Sequence, residues 1–478
     1  MDLKRPVSIA LFTLFLAEAL LGYIYIPYRA FHSRWIIALV AFLSIACVAL
    51  LWRTSKAWRS KSIQAMLGAP FAWLTVITGA GLFMRLAWII AVPPVQISDS
   101  LDYWNAAIRL VTEHAYYFQM DGGEVLKAWR PPGLPLILAA MFQTLGPHEW
   151  IPTLLNCSAY VATSVLLFVV ARRLVDTQAG LISVALLAVH PALIASTGLA
   201  VSEPLSLLLY LGCYWTGLAA LTRSGWWGLL AGALMALSAL VKPEFELLPI
   251  LWLLFLVVYS PSLRDGLLRF APVFLAFTLT LMPWVVRNYL LFHRVVLIST
   301  NGGDVFYRAN NPLASGGFNQ TGARELNQYQ SDELLWNRTG YQWGFEWMLS
   351  QPLAFLKLIP RKQSLFFDDP GQQFIHYTFN QGSRKGSWAL SLLIYLGLFW
   401  WVGLWISAGV GLLLHRRFLT QSREFSLLLL FALYPLIVHS VFESQARYNL
   451  PIAGFVFILA ALSLRLPPIR TAATKRVA

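Results

Sequence analysis

The chain contains little cysteine and little charge. Only three of its 478 residues are cysteines, and only 12% are charged. Cys47, Cys157 and Cys213 all lie inside apolar segments, so neither a disulfide framework nor a cysteine metal site is predicted. Soluble domains carry about 25% charged residues. The low charge therefore excludes an ordinary soluble globular protein.

Apolar residues are correspondingly abundant. Hydrophobic residues make up 58% of the chain, and the mean hydropathy is +0.62. Several runs of ~20 residues are almost free of charge, which is the length that a helix needs to cross about 30 Å of hydrocarbon. Such runs are typical of helices and not of barrel strands. The sequence predicts an all-α, polytopic integral membrane protein of ~12 transmembrane helices.

The predicted spans fall into two groups, separated by a long polar loop, and a shorter polar loop interrupts the first group. Two further helices are predicted inside these loops, at 100–114 and 331–350, from the spacing of their apolar residues. The predicted spans are 7–28, 35–52, 70–92, 151–171, 179–199, 204–222, 226–241, 245–259, 270–292, 388–414, 425–442 and 449–466.

Acidic residues are fewer than basic ones. There are 22 Asp and Glu against 36 Lys and Arg, which gives a net charge of +14. With twelve crossings the basic short loops and both termini fall on one side of the membrane. The positive-inside rule identifies this side as the cytoplasmic face of the inner membrane. This placement explains the charge without nucleic acid and puts the loops 93–150 and 293–387 on the extracytoplasmic side of the membrane. The predicted division is two additional N-terminal helices with a basic loop (1–62), a core (63–292), an external loop region (293–387) and a C-terminal helical part with a basic tail (388–478).

The first external loop, 93–150, contains two aspartates near its start. Asp99 is a candidate general base, and Asp102 is a candidate supporting carboxylate. The structural alternative is that Asp99 caps a helix beginning at Ser100, and that Asp102 is a solvated first-turn acid. Arg130, in a stiff Arg-Pro-Pro-Gly turn, closes the same loop.

Further charged residues lie at predicted outer helix ends. Glu203 would be costly at the membrane boundary unless it is hydrated or paired, although support of the following helix N-terminus explains it equally well. Lys242, beside Glu244, suits a phosphate contact or a snorkelling role. Arg287 and Arg447 are candidates for bidentate phosphate contacts. Six histidines show no ligand spacing and are interpreted as mainly structural: His114, His148, His190, His293, His376 and His439.

The order of these motifs resembles that of a known group of membrane enzymes, the GT-C glycosyltransferases. The resemblance covers roughly residues 70–466 and is to the bacterial branch related to protein O-mannosyltransferases and to the aminoarabinose transferase of lipid A. The motifs that carry it are Asp99-Ser100-Leu101-Asp102-Tyr103, Arg130-Pro131-Pro132-Gly133-Leu134-Pro135, Ser202-Glu203-Pro204-Leu205, Pro283-Trp284-Val285-Val286-Arg287-Asn288, Asn310-Asn311-Pro312, and Arg447-Tyr448 with Pro451.

The resemblance implies an inverting transfer of one sugar from a polyprenyl-phosphate donor to a lipid, glycan or protein acceptor. It assigns the family's first-loop aspartate to Asp99, followed by Tyr103, and its second acidic position to Glu203. Ser100 stands where many relatives carry a second acid, which leaves Asp102 as its substitute. The implied catalytic residues are Asp99, Asp102 and Glu203, and the implied substrate-binding residues are Tyr103, Arg130, Lys242, Glu244, Arg287, Arg447 and Tyr448.

Two questions stay open at the level of sequence. Asp99, Asp102 and Glu203 are the candidates for holding a divalent metal, but no cofactor follows from three acids on distant segments. The competing function is transport or flipping of lipid-linked sugars without transfer. A carrier needs polar residues and broken helices at the membrane midplane, whereas the polar residues here gather at the outer helix ends, which favours surface chemistry. A non-catalytic envelope scaffold is a third alternative.

Overall fold

A computed structural model describes residues 6–17, 68–120, 122–222, 225–319, 322, 324–380 and 385–465. These residues are almost entirely helical, so the predicted all-α class is confirmed. The predicted span 35–52, most of the span 7–28, the basic loop before residue 63 and the basic tail lie outside the described residues.

The helices are numbered here in chain order, and one short antiparallel hairpin pairs Phe118 with Leu126 and Gln119 with Val125. Short 3-10 helices lie at Pro243–Phe245, Leu326–Tyr329 and Ala446–Ile452. The elements are α1 Pro6–Ala17, α2 Pro70–Ala91, α3 Asp99–Thr112, β1 Phe118–Gln119, β2 Val125–Leu126, α4 Gly133–Leu145, α5 Ile151–Leu174, α6 Thr177–Ala188, α7 Pro191–Ala195, α8 Glu203–Ala220, α9 Trp226–Val241, α10 Leu248–Tyr259, α11 Leu263–Phe292, α12 Gly302–Ala309, α13 Glu333–Ser350, α14 Pro352–Phe366, α15 Pro370–Phe379, α16 Trp388–Leu414, α17 Arg416–Gln421, α18 Arg423–Val441 and α19 Ala453–Leu464.

Among the described residues, six helices are long and apolar enough to cross a membrane. They are α2, α5, α11, α16, α18 and the segment Ala446–Leu464, which includes α19. The total of ~12 spans remains a prediction. The predicted single span 179–199 is wrong in detail, because the chain forms α6 and α7 with a break before Pro191, whose missing N–H cannot continue the helix.

The centre of the bundle is α19. The ten residues from Ala453 to Leu462 are all buried, and a helix that is apolar all round is stable only when it is surrounded. It packs against α16 and α6. The long α11 shows the opposite pattern, with 11% of its most apolar window buried, so its apolar side chains face the surrounding lipid. The core therefore lies inside the bundle while α11 forms part of its rim.

One buried carboxylate joins the polar loops 93–150 and 293–387. Glu333, at the start of α13, accepts hydrogen bonds from the backbone N–H groups of Lys127 and Ala128, at 2.8 and 3.1 Å. It also accepts one from the Thr300 hydroxyl at 2.8 Å. Because Glu333 is buried, these bonds are made away from water and fix the loops to each other. The loop 93–150 is thereby held in a defined position.

A glycine determines how closely α4 approaches α9. A Cβ atom on Gly133 would lie 2.7 Å from the Leu240 carbonyl oxygen, so a side chain here would force the two helices apart. This contact brings the turn that contains Arg130 against the end of α9. Lys242 follows directly after that end, and both residues reach the same region.

Candidate functional site

Asp99 is the first residue of α3. The helix begins one residue earlier than predicted, with Ser98 at its N-cap, so the predicted capping role of Asp99 is wrong. Ser98 has a φ of +51°, in the left-handed region that non-glycine residues seldom adopt. Such strained backbone is concentrated at functional sites. The Asp99 carboxylate extends from this turn to two arginines.

Both oxygens of Asp99 are engaged by arginines from distant parts of the chain. Oδ1 lies 2.7 Å from Nη2 of Arg130, and Oδ2 lies 2.6 Å from Nη2 of Arg447. Arg130 also donates to Oδ2 of Asp102 through Nε at 2.9 Å and Nη2 at 2.7 Å. Charge-assisted bonds of this length are among the strong ones in proteins. The structure thus brings four of the predicted residues into one network.

The two aspartates differ in pKa. Burial alone would raise the pKa of Asp99, but the guanidinium groups of Arg447 and Arg130 outweigh burial and hold it well below its ordinary value. The pKa of Asp102 is raised, since burial prevails there over the attraction of Arg130. Asp99 is therefore ionised and a weak base as long as both arginines remain in contact.

Tyr103 lies one turn after Asp99 on α3 and is buried. The Arg130 guanidinium carbon is 5.6 Å from the centre of its ring. Burial raises the pKa of Tyr103 to about 12, so its hydroxyl stays neutral. A neutral hydroxyl in this position can donate a hydrogen bond but cannot act as a base near pH 7.

A second part of the network surrounds Lys242. Its Nζ lies 3.8 Å from Oε1 of Glu203 and 4.0 Å from Oε1 of Glu244. The same Glu203 oxygen is 3.9 Å from Nε of Arg447. These distances exceed hydrogen-bond length, and Nζ of Lys242 has no hydrogen-bond partner among the described residues although it is buried. An anion that binds here can accept hydrogen bonds from this ammonium without displacing an existing hydrogen bond.

Behind Lys242, Glu244 contacts a histidine. Its Oε2 lies 3.0 Å from Nε2 of His439, and Nδ1 of that ring lies 2.7 Å from the Glu443 backbone oxygen. The His439 ring stacks on Tyr448 with centroids 4.5 Å apart. Burial would raise the pKa of Glu244, but Lys242 and His439 hold it below its ordinary value. From the sequence, His439 is interpreted as mainly structural, because its partner carboxylate lies on a distant segment.

Sequence reasoning missed three charged residues that complete the network. Arg308 on α12 lies 3.3 Å from Oδ2 of Asp304 and 3.2 Å from Oε2 of Glu443. The other oxygen of Glu443 accepts a hydrogen bond from the Tyr448 hydroxyl at 3.1 Å. The signal available in the sequence was closeness to the motifs already identified. Arg308 lies two residues before Asn310, and Glu443 lies just before the Arg447 motif.

Arg287 occupies a different position. Its guanidinium donates to the carbonyl oxygens of Lys127 at 2.8 Å and Tyr116 at 3.1 Å, and it lies over the Trp284 ring at 4.7 Å. It thus holds the β1–β2 hairpin against α11. Its contact with phosphate stays a prediction. Arg287 also lines a largely apolar groove of about 670 Å³, together with Leu110, His114, Ala115, Tyr116, Tyr117, Val125, Lys127, Pro132, Leu136, Leu240, Thr280, Pro283, Trp284 and Leu291.

Metal binding was left open by the sequence. Within the part of the chain that the structure describes, no group of three or more His, Cys, Asp or Glu side chains is arranged to hold a metal ion. Asp99, Asp102 and Glu203 do not form such a group, and Asp99 directs both of its oxygens to arginines.

The sequence matches the model of a known family over part of its length. Residues 129–286 match the sequence model of the dolichyl-phosphate-mannose-protein mannosyltransferase family. This region begins just before the Arg130 turn and ends just before Arg287, and it includes Glu203 and Lys242. A search of curated protein sequences finds no significant match.

The chain also matches several solved structures at low sequence identity. The apo oligosaccharyltransferase of Archaeoglobus fulgidus has a TM-score of 0.50 and 15% identity, over 85% of this chain and 51% of its own. The same organism's AglB oligosaccharyltransferase, in complex with an inhibitory peptide and a dolichol-phosphate, has a TM-score of 0.50 and 14% identity, over 82% and 50%. ArnT from Cupriavidus metallidurans, bound to undecaprenyl phosphate, has a TM-score of 0.41 and 15% identity, over 82% and 77%.

These comparisons confirm the resemblance to the GT-C superfamily that the motifs indicated. The chain has the GT-C fold, and its residues 129–286 match the sequence model of the protein mannosyltransferases. It spans about half the length of the oligosaccharyltransferases that it matches.

Proposed function

We propose that this chain of GT-C fold is a membrane glycosyltransferase that moves one sugar from a polyprenyl-phosphate donor to an acceptor. The acceptor is a hydroxyl or phosphate of a lipid, glycan or protein on the extracytoplasmic face. The observation that carries the proposal is the convergence of Asp99 with Arg130, Arg447 and Lys242. Transfer from a sugar phosphate needs a base for the acceptor and cations for the leaving phosphate.

The proposed reaction uses this arrangement as follows. The acceptor oxygen attacks the anomeric carbon, the bond from that carbon to the phosphate oxygen breaks, and polyprenyl phosphate leaves with the electron pair. The proton of the acceptor passes to the Asp99 carboxylate. In-line attack inverts the anomeric centre. Phosphate is a good leaving group, so the site needs cations to hold its growing charge and no general acid.

The resting contacts of Asp99 set the order of events. Its carboxylate is a weak base while Arg130 and Arg447 hold it. A donor phosphate that takes over the Arg447 guanidinium leaves Asp99 with Arg130 alone, and its pKa then rises towards the ordinary range. Donor binding thus precedes proton transfer and prepares the base for it.

Two cations are placed for the phosphate. Arg447 presents Nε and Lys242 presents Nζ, and neither atom has a hydrogen-bond partner among the described residues. Both lie close to the same Glu203 oxygen, at 3.9 and 3.8 Å. Glu203 therefore keeps the two cations near each other without occupying them, and phosphate oxygens complete their bonding.

The apolar groove of about 670 Å³ suits the first isoprene units of the donor. Its wall residues Pro132 and Leu240 lie two positions from Arg130 and Lys242 in the sequence, so the groove leads towards the charged network. Arg287 and Lys127 stand in the same wall. A lipid chain gains about 0.8 kcal/mol for each CH₂ that it buries, which a groove of this kind supplies.

The test is a transfer assay with the purified protein in lipid nanodiscs. A radiolabelled polyprenyl-phosphate sugar is supplied with host envelope extract, and label is followed into any acceptor. Asp99→Asn keeps the shape of the side chain but removes the base, so transfer falls by about 10²–10⁴. Asp102→Asn, which shares Arg130, lowers transfer by about tenfold at most.

Two results would contradict the proposal. If Asp99→Asn transfers sugar at the wild-type rate, Asp99 is not the general base. Wild-type protein that carries intact lipid-linked sugar across a vesicle membrane, without releasing polyprenyl phosphate, would identify a transporter instead.

A further inference from the structure

The contacts of His439 fix the number of protons in its surroundings. Nδ1 lies 2.7 Å from the backbone oxygen of Glu443, and a carbonyl oxygen only accepts, so Nδ1 carries a proton. A neutral ring would then present a bare Nε2 to Oε2 of Glu244 at 3.0 Å. Two acceptors do not form a hydrogen bond. The contact therefore contains a further proton, on the ring or on the carboxylate.

The groups that surround this contact favour a pair that is neutral as a whole. Lys242 lies 4.0 Å from the other Glu244 oxygen, and the ring of Tyr448 lies flat against His439. The Glu443 carboxylate is turned away to Arg308 and the Tyr448 hydroxyl. Two further described neighbours are uncharged: the Tyr434 hydroxyl donates to the Glu244 backbone oxygen, and the Phe366 ring contacts the His439 ring. The charged groups of Glu203 and Arg447 lie farther out, around Lys242 and Tyr448.

We propose that Glu244 and His439 hold one proton between them and so keep the charge of Lys242 available to an anionic ligand. That ligand is the polyprenyl phosphate of the proposed function, on which this second half of the inference rests. His439 is a positioning residue, since it acts through Glu244 and Lys242 and does not touch the sugar.

The reason is the charge around Lys242. With the shared proton present, the nearest carboxylate charge to Nζ among the described residues is that of Glu203, at 3.8 Å, and Glu203 is shared with Nε of Arg447 at 3.9 Å. Loss of the proton adds a second one at 4.0 Å. The ammonium would then be more than neutralised, and a phosphate would meet net repulsion. A buried site has little solvent to screen this change.

Paired variants test the effect on the ligand. His439→Gln keeps a donor towards Glu244 but cannot carry charge, so the affinity for polyprenyl phosphate in detergent falls by at least ~10-fold. Adding Glu244→Gln removes the negative charge and returns the affinity towards the wild-type value. A merely structural role predicts the opposite, since two damaged contacts would weaken binding further. His376→Gln on α15, whose ring contacts Asn380, is the matched control.

The proposal is overturned if His439→Gln binds the phosphate as tightly as wild type, or if Glu244→Gln fails to rescue it.

Histidine-selective NMR of the full-length protein reads the shared proton without any ligand. The His439 signal, identified by its loss in His439→Gln, is expected to show a proton on Nδ1 and to shift when Glu244 becomes Gln. A ring without a proton on Nδ1 would overturn the inference. Wild-type protein that binds no polyprenyl phosphate, with the NMR result as expected, would instead reject the proposed function and leave the shared proton in place.

Discussion

The charge of Lys242 can be removed without changing the bulk of its side chain. Lys242→Met keeps the unbranched chain and deletes the ammonium. In the wild type this ammonium faces Glu203 at 3.8 Å and Glu244 at 4.0 Å, in a place where all three side chains are at most 10% exposed. The substitution therefore affects both the stability of the network and its affinity for an anion, and the two effects can be separated.

The stability effect follows from the two distances. A pair of unit charges 4 Å apart gains roughly 4 kcal/mol at an effective dielectric constant of ~20, before desolvation is subtracted. Removing one partner of a buried pair costs about 3–5 kcal/mol, because the remaining charge is left unpaired. We therefore expect Lys242→Met to unfold at a clearly lower temperature. Adding Glu244→Gln removes one of the two carboxylates that lose the Lys242 cation and recovers part of this loss.

The effect on donor binding has a different origin. A hydrogen bond to a charged group contributes about 1.5–3 kcal/mol, which corresponds to about a 10- to 100-fold change in affinity. Lys242→Met should weaken binding of polyprenyl phosphate by this factor. The double variant should bind no better than about a tenth of the wild-type affinity, since the phosphate still lacks its cation.

The assay combines thermal unfolding in detergent with binding of polyprenyl phosphate to the same preparations. The expected pattern is recovery of the melting temperature in the double variant without full recovery of affinity. Wild-type affinity in Lys242→Met would show that the phosphate binds elsewhere. Recovery of both properties in the double variant would show that Lys242 acts only by neutralising Glu244.

Two further predictions concern residues outside the central network. Arg287→Gln loses charged donors to the carbonyls of Tyr116 and Lys127, so limited proteolysis should cut the hairpin region faster than in wild type. Burial lowers the pKa of Lys362 to about 7. The unfolded chain then binds more protons than the folded one up to the ordinary pKa of Lys, so stability rises with pH by up to roughly 1.4 kcal/mol per unit in that window. Lys362→Met should abolish this rise, as measured by the melting temperature between about pH 7 and about pH 10.

The sequence predicted the helices where charge and polarity end an apolar run. The bounds of α16 agree with the predicted 388–414, because Ser387 caps its start and His415-Arg416-Arg417 ends the apolar run. It failed at Pro191, where apolar residues continue on both sides of the break. Hydropathy records how apolar a residue is but not whether its N–H is available, so the signal for this break was Pro191 itself and not the apolar pattern.

The site was predictable where a charge stood next to a turn at a helix end. Asp99, Arg130 and Arg447 met this condition, and the structure joins them. Arg308 and His439 did not, because their importance comes from partners far along the chain. The contact between His439 and Glu244 spans 195 positions. No local pattern reports such a pairing, and a single histidine in an apolar helix resembles a packing residue.

The resting network also predicts an unusual effect of Asp99. Its carboxylate holds the Arg447 guanidinium at 2.6 Å, so it competes with the donor phosphate for that cation. Asp99→Asn weakens this competitor by the difference between a charged and a neutral hydrogen bond, about 1 kcal/mol. The variant should therefore bind polyprenyl phosphate several-fold more tightly while transferring almost no sugar. Asp102→Asn, which contacts Arg130 and not Arg447 in the described contacts, should change the affinity less. Weaker binding by Asp99→Asn would mean that the aspartate helps to build the phosphate site, and the exchange of Arg447 between carboxylate and phosphate would be refuted.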